Sequence, residues 1–214
     1  MSHVPDTPTS PTGLARLDAI DVTGDTRQAF ILKAALATGA AYGAALLGPS
    51  LQRAFAQSGM SDVDVLNFAL TLEYLEADFY RVGRKLELKG DVAAAAKTFG
   101  REEAEHVGAL KATIEKLGGK PVASPKFRFP MTDQASFLKL ANQLEDTGVS
   151  AYNGAATSIS SKEVLAAAGS IVQIEARHAA VIRLLRSKPP APQAFDTASD
   201  KAAVEQAITP LIAS

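Results

Sequence analysis

The sequence contains no cysteine and no tryptophan, and its charges almost cancel. Without cysteine, the chain has no disulfides, thiolate zinc sites, iron–sulfur clusters or cysteine nucleophiles, so any chemistry depends on oxygen and nitrogen donors. The 22 basic and 23 acidic residues leave a formal net charge of −1. Because no basic field attracts phosphate groups, we expect no nucleic-acid partner.

Strand-like sequence is also scarce. Few runs of β-branched residues alternate with polar ones, whereas Ala, Leu, Glu and Lys dominate after residue 60. This composition favours helices. A length of 214 residues and a hydrophobic content of 47% are ordinary for a soluble protein with one or two cores. The sequence therefore predicts an all-α protein.

The first sixty residues have the layout of an export signal. Residues 1–26 are rich in Pro, Thr, Ser and Asp and have no helical apolar stripe, which is typical of disorder. Arg27 and Lys33 then precede a short apolar run at 34–47, and the tripeptide Ala-Phe-Ala follows at 54–56. Positive charge, a short apolar stretch and an A-x-A tripeptide occur in this order in cleavable signals.

We therefore expect residues 1–56 to be a leader that directs export to the periplasm or cell envelope, and residues 57–214 to form the folded domain. The sequence around Arg27 resembles a bacterial twin-arginine signal, although Gln28 stands at the position of the second arginine. The alternative is an apolar helix that is retained in the mature protein and packs on the bundle, in which case the protein would be cytoplasmic. At about 1.5 Å per residue the apolar run reaches roughly 21 Å, short of the roughly 30 Å hydrocarbon core, so we expect no permanent membrane span.

Capping residues, glycines and prolines divide the rest of the chain into helices. The predicted helices cover residues 65–88, 92–117, 132–158, 160–188 and 199–212. The first and third links are short, whereas the second is long and carries three prolines. Short, long and short links indicate a ferritin-like four-helix bundle, with one long crossover between two helical hairpins and a short C-terminal fifth helix outside the bundle. An up-and-down bundle with an irregular loop is the alternative.

The two hairpins are copies of one pattern, offset by 72 residues. Each copy presents a glutamate and, 30 residues later, a Glu-x-x-His motif. These six residues are Glu73, Glu103, His106, Glu145, Glu175 and His178. Tyr80 and Tyr152 stand seven residues after the first glutamate of each copy. Such a repeated constellation indicates a shared site, with the tyrosines as core residues or as hydrogen-bond partners of a ligand carboxylate.

Apolar neighbours show that the glutamates point inwards. Around Glu103, for example, the residues four and seven positions away on the same helix face are Ala96, Phe99, Val107 and Leu110. Four ionised carboxylates in one core would cost several kcal/mol each. Two divalent cations would balance their charge of −4, the histidines would add neutral nitrogen donors, and protons are the competing compensation.

Three further acids near these residues fail to repeat. Glu76 corresponds to Gly148, Glu102 to Ile174 and Glu105 to Arg177. We expect these glutamates to be solvated or to lie behind the ligands, and the sequence leaves open whether Glu76 binds a metal ion directly.

The spacing of the six residues resembles the ferritin-like di-iron carboxylate superfamily over residues 62–187. Residues 67–76 and 194–196 resemble ferritin-like domain proteins that include plant desiccation-related proteins and exported bacterial relatives. The resemblance implies that Glu103 and either Glu145 or Glu175 bridge two ions, and that His106 and His178 each bind one.

The resemblance and the donor types together suggest a pair of iron ions that reacts with dioxygen or hydrogen peroxide, in iron oxidation or in protection from oxidative or desiccation stress. Manganese or a mixed pair suits the same donors. The alternative function is a non-catalytic stress or envelope protein that its metals stabilise. A homo-oligomer is compatible with the sequence, whereas a metal-storing cage fits the leader and fifth helix less well.

Overall fold

The structure is a computed structural model that describes residues 60–213. The leader predicted at 1–56 lies outside the described residues. Within 60–213 the chain forms helices α1 (Asp62–Gly83), α2 (Gly90–Lys116), α3 (Gln134–Ala155), α4 (Lys162–Leu185) and α5 (Lys201–Ile208), with 3₁₀ turns at Ala156–Ser158 and Thr209–Leu211. The only β pairing in this part of the chain is one isolated bridge, between Phe127 and Ile212. The predicted all-α class is confirmed.

Side-chain caps explain where four of these helices begin. Ser61 and Asp133 form capping boxes with residues three positions later, and Ser161 and Asp200 accept hydrogen bonds from backbone amides of the first turn. Each cap satisfies an amide that the helix leaves unpaired, which typically contributes about 1 kcal/mol. The start of α2 differs, since the residue before it is Lys89 and no side chain caps it.

The helices pack as two antiparallel hairpins, α1 with α2 and α3 with α4, and α1 also contacts α3. The carboxylate of Asp62 accepts hydrogen bonds from the amides of Ser160 and Ser161, at 2.7 and 2.9 Å, so α1 begins beside the link between α3 and α4. At the other end, the amide of Lys89 donates to Gln134 Oε1 at 2.8 Å. Because α1 and α3 therefore run in opposite directions, the bundle has the crossover topology rather than the up-and-down alternative.

The crossover, residues 117–133, runs along the bundle and is held at both ends. Gly118 has a φ of +75°, which glycine adopts readily as the chain leaves α2. The side chain of Asn67 then donates to the carbonyl of Lys120 at 3.2 Å and accepts from the amide of Val122 at 2.8 Å. Further along, the amide of Arg128 donates to the carbonyl of Leu211 at 2.8 Å, so the C-terminal segment also holds the crossover.

Helix α1 ends at Gly83, five residues before the predicted end. The amides of Lys85 and Leu86 bond to carbonyls three residues back, in turns. Leu86 and Leu88 still pack on the core, so the apolar pattern continues after the helix has ended. The prediction of a helix to residue 88 is wrong because apolar spacing reports burial and does not by itself report helical backbone.

Two apolar clusters fill the bundle, one towards each end. One contains Phe79, Phe99 and Phe137, and the other contains Leu70, Leu110 and Ile171. The buried glutamates lie on the helices between these two apolar clusters, so they form a polar layer across the middle of the core. None of the helices in residues 60–213 is both long and apolar enough to cross a membrane.

Candidate metal centre

All six residues of the repeated pattern lie together in the polar layer. Each of the four bundle helices contributes one glutamate, and α2 and α4 add a histidine one turn later. The glutamates are 0% exposed and His178 is 2% exposed, whereas the side chain of His106 is 12% exposed. Water therefore does not reach the four carboxylates of the repeated pattern.

The six residues form two overlapping donor sets, each with ligand atoms within 4.8 Å of one another. One set is Glu73, Glu103, His106 and Glu175, and the other is Glu103, Glu145, Glu175 and His178. Glu103 and Glu175 belong to both sets. Of the two alternatives that the resemblance left open for the second shared residue, the geometry favours Glu175 over Glu145.

Both histidines turn Nδ1 towards the carboxylates. His106 Nδ1 lies 3.1 Å from Glu73 Oε2, 3.0 Å from Glu103 Oε2 and 3.1 Å from Glu175 Oε1. His178 Nδ1 lies 2.8 Å from Glu103 Oε1 and 3.5 Å from Glu145 Oε2. Separations of about 3 Å are those of neighbouring donors on one transition-metal ion, whose bonds are about 2.0–2.2 Å long.

Two tyrosines cross the bundle to hold the unshared glutamates. Tyr80 on α1 donates a hydrogen bond to Glu145 Oε1 on α3, and Tyr152 on α3 donates one to Glu73 Oε1 on α1, at 2.5 Å. The two hydrogen bonds are equivalent, because the tyrosines and the glutamates that they join are each 72 residues apart. Each tyrosine occupies one carboxylate oxygen and leaves the other facing a histidine, which fixes the orientation of the ligand.

Glu102 contacts the nitrogen of His178 that points away from the donor sets. Its Oε2 lies 2.8 Å from His178 Nε2, and the ring of Phe99 stacks on the imidazole at 4.0 Å between centroids. A carboxylate on the outer nitrogen fixes ring orientation and tautomer, so that Nδ1 faces the site. In the repeat, Ile174 takes the position of Glu102, so His106 receives no such support from that position.

The three unrepeated glutamates have different environments. The side chain of Glu105 is 72% exposed, and Glu102 lies behind a ligand, both within the expectation. Glu76 is 2% exposed, which excludes the solvated alternative and places its carboxylate in the interior. Comparison of the two halves of the repeat does not reveal the burial of Glu76, because the equivalent residue is Gly148. Its position, one turn after Glu73 on the same face, was the signal that could have found it.

Burial and the contacts between glutamates and histidines together set the pKa values of the metal-free cluster. It raises the pKa of Glu73 to about 7 and also raises the pKa values of Glu145 and Glu175. Burial acts in the same direction on Glu103, but contacts with the two histidines outweigh it and lower that pKa to about 2. Desolvation would lower the histidine pKa values, yet the surrounding glutamates raise that of His106 to about 12 and that of His178 to about 11. Without metal, protons compensate the carboxylates.

Several buried carboxylate oxygens and one imidazole nitrogen have no hydrogen bond within the described residues. They are Glu103 Oε1, Glu145 Oε2, both oxygens of Glu175, both oxygens of Glu76 and His178 Nδ1. His178 Nδ1 and Glu103 Oε1 are only 2.8 Å apart, so they are close but not aligned for a hydrogen bond. Buried polar atoms are rarely left unpaired. Unpaired oxygen and imidazole donors that converge in this way fit metal ions.

The fold and the cluster define a helical-bundle protein with a buried carboxylate and histidine site that can hold metal ions. The family model described as "Ferritin-like domain" matches residues 61–188, and the chain belongs to this family.

One solved structure with a similar fold is a conserved hypothetical protein, rv2844, from Mycobacterium tuberculosis. The TM-score is 0.55 and the sequence identity is 17%, and the match covers 63% of this chain and 96% of that chain. At this identity the similarity concerns the fold alone. No curated protein matches the sequence.

Proposed function

We propose that the protein binds two iron ions and uses them to react with dioxygen or hydrogen peroxide. The observation that carries this proposal is the pair of overlapping donor sets that share Glu103 and Glu175. Each set has three carboxylates and one histidine, which are ligands that iron and manganese accept. We propose iron because the six residues resemble the ferritin-like di-iron carboxylate superfamily, while manganese or a mixed pair suits the same donors.

The charge of the donor sets supports two ions rather than one. Glu73, Glu103, Glu145 and Glu175 contribute −4 when ionised, and two divalent ions contribute +4. A single divalent ion would leave two buried negative charges that protons would have to neutralise. Binding two ions instead replaces the protons on both histidines and on the raised-pKa glutamates.

The side chains around the donors have separate tasks in this account. Tyr80 and Tyr152 hold the unshared glutamates, and Glu102 holds His178, so the ligands keep their positions when ions bind or leave. The apolar clusters on both sides exclude water. His106 is the most exposed of the six ligands, so small molecules would reach the site on its side.

The physiological task we propose is oxidation of Fe(II) or removal of oxidants during oxidative or desiccation stress. The export layout of residues 1–56 supports action in the periplasm or cell envelope.

The test is to load the purified metal-free protein anaerobically with Fe(II) and to follow consumption of added dioxygen or peroxide together with absorbance. We expect consumption above the background of Fe(II) in buffer, and its loss in Glu103→Gln and Glu175→Gln variants. Glu105→Gln is the matched control, since Glu105 is exposed on the same helix as Glu103. If the wild type binds two ions but consumes oxidant only at background, the redox proposal is wrong and the metals serve stability alone.

A further inference from the structure

Glu76 is a buried carboxylate that belongs to neither donor set. It lies on α1, one turn after Glu73, and is 2% exposed. Neither of its oxygens has a hydrogen-bond partner within the described residues. A carboxylate in this state has lost its hydration and gained no protein partner, which is costly unless another ligand binds it.

The carboxylate of Glu76 faces the shared ligand Glu175 across a space beside Gly148. A Cβ atom built on Gly148 would lie 3.2 Å from Glu76 Oε1 and 3.2 Å from Glu175 Oε2. Oxygens from α1 and α4 therefore converge on one position on α3. Burial raises the pKa of Glu76 well above its usual range, and the charges of Glu175, Glu103, Glu145 and Glu73 raise it further, as expected for a group near all four.

Gly148 explains why this acid occurs in one half of the repeat only. The two residues are equivalent, since they lie 72 positions apart like the paired ligands. Even the first carbon of a side chain at 148 would crowd oxygens of Glu76 and Glu175. Gly148, in the second copy of the repeat, therefore leaves room for the carboxylate of Glu76, which belongs to the first copy.

We propose that Glu76 is a further metal ligand, which binds beside Glu175 and gives the site a fifth carboxylate. This inference rests on the proposed function in one respect, namely that the six-residue cluster binds metal. It does not require that the bound metal react with an oxidant.

The test is to titrate metal-free wild type, Glu76→Gln and Glu105→Gln with Co(II), which reports its coordination through its visible absorption. Equilibrium dialysis gives the stoichiometry and the affinities. We expect the wild type and Glu105→Gln to match. Glu76→Gln should bind one of the two ions at least about tenfold more weakly, which is the lower end of the loss seen when even a supporting group is removed. Its Co(II) spectrum should also change.

Thermal unfolding separates a ligand from a structural residue. If Glu76 binds metal, Glu76→Gln lowers the melting temperature of the Co(II)-loaded protein but not that of the metal-free protein. Equal lowering of both would overturn the proposal, as would a Co(II) titration and spectrum identical to those of the wild type. If Glu76→Gln does not fold, Glu76→Asp is the second variant, since it keeps the charge but withdraws the oxygens by one methylene, and the same loss of affinity is expected.

The outcome is independent of the redox proposal. A Glu76-dependent Co(II) spectrum together with background oxidant consumption would support the ligand and overturn the redox function. Oxidant consumption above background, together with a Co(II) titration that the Glu76→Gln substitution does not change, would support the redox function and overturn the proposal that Glu76 is a ligand.

Discussion

His106 and His178 are equivalent in the repeat but differ in their support. Glu102 contacts the outer nitrogen of His178, whereas Ile174 stands at the equivalent position on α4. His178 is also almost fully buried, and the side chain of His106 is 12% exposed. The two donor sets therefore differ in the support and the exposure of their histidines, although both consist of three glutamates and one histidine.

Removing the support of His178 should weaken one metal position selectively. In Glu102→Gln, we expect the affinity for one ion to fall about 10- to 100-fold, because the imidazole loses the carboxylate that orients it. Equilibrium dialysis of the metal-free variant against Co(II) measures this, with Glu105→Gln as the control. Equal weakening of both ions, or of neither, would contradict the asymmetry.

The reciprocal tyrosines should contribute to stability as well as to ligand position. Tyr80→Phe and Tyr152→Phe each remove a buried hydrogen bond to a glutamate. For the metal-loaded protein, in which both glutamates are ionised, we expect each variant to lower the free energy of unfolding by about 1.5–3 kcal/mol. Denaturant titration measures this.

Tyr74→Phe is the control for both tyrosine variants. The hydroxyl of Tyr74 donates a long 3.4 Å bond to the carbonyl of Val122 in an exposed setting, so the expected change is below about 0.5 kcal/mol. Equal effects at all three tyrosines would show that the contacts with the ligands have no special importance.

On the helices, Gly83 lies in a tightly packed contact, whereas Gly108 lies on an exposed surface. A Cβ atom at Gly83, where α1 ends, would lie 2.4 Å from the ring of Phe137. At Gly108, on the exposed face of α2, a Cβ atom would have no neighbour within 4 Å. We expect Gly83→Ala to destabilise the protein by about 1–3 kcal/mol through overpacking, and Gly108→Ala to stabilise it by up to about 1 kcal/mol through helix propensity.

Thermal or denaturant unfolding of both glycine variants tests this reading of the helix contacts. The two effects should have opposite signs. Two changes of the same sign would mean that the contact between the end of α1 and α3 is looser than described.

Local sequence signals were sufficient to predict most of the helical elements. Ser61, Asp133 and Ser161 cap three of the predicted helices, and the long link between α2 and α3 is the crossover. The end of α1 was missed because Leu86 and Leu88 remain partly buried and packed on the core after the helix has ended. The environment of Glu76 was harder to predict, because its position one turn after Glu73 puts it on the inward face of α1 but its burial also needs the space that Gly148 leaves on another helix.

Across the whole molecule, the metal-free core should make stability depend on pH in an unusual direction. The pKa of Glu73 is raised from 4.5 to about 7, and those of His106 and His178 are raised from 6.5 to about 12 and about 11. Between about pH 5 and pH 9 the folded state therefore holds more protons than the unfolded state. Stability then falls as pH rises, by about 1.4 kcal/mol per pH unit for each extra proton held.

Metal should reverse this dependence. Bound ions require ionised glutamates and neutral histidines, so the loaded folded state no longer holds the extra protons and its stability should rise from acid towards neutral pH. Melting temperatures of metal-free and Co(II)-loaded protein, measured between pH 5 and pH 8, test this. Parallel curves for the two forms would contradict the proton and metal exchange.

In the proposed site, one buried layer binds two ions through ligands that both ions share. The most direct measurement is the metal content of the purified protein after anaerobic loading with Fe(II) and removal of unbound metal, for the wild type and for Glu103→Gln. We expect two iron ions per chain in the wild type and weakened binding of both in the variant, because Glu103 belongs to both donor sets. A wild type that retains no iron, or a variant that still retains two ions as tightly, would contradict it.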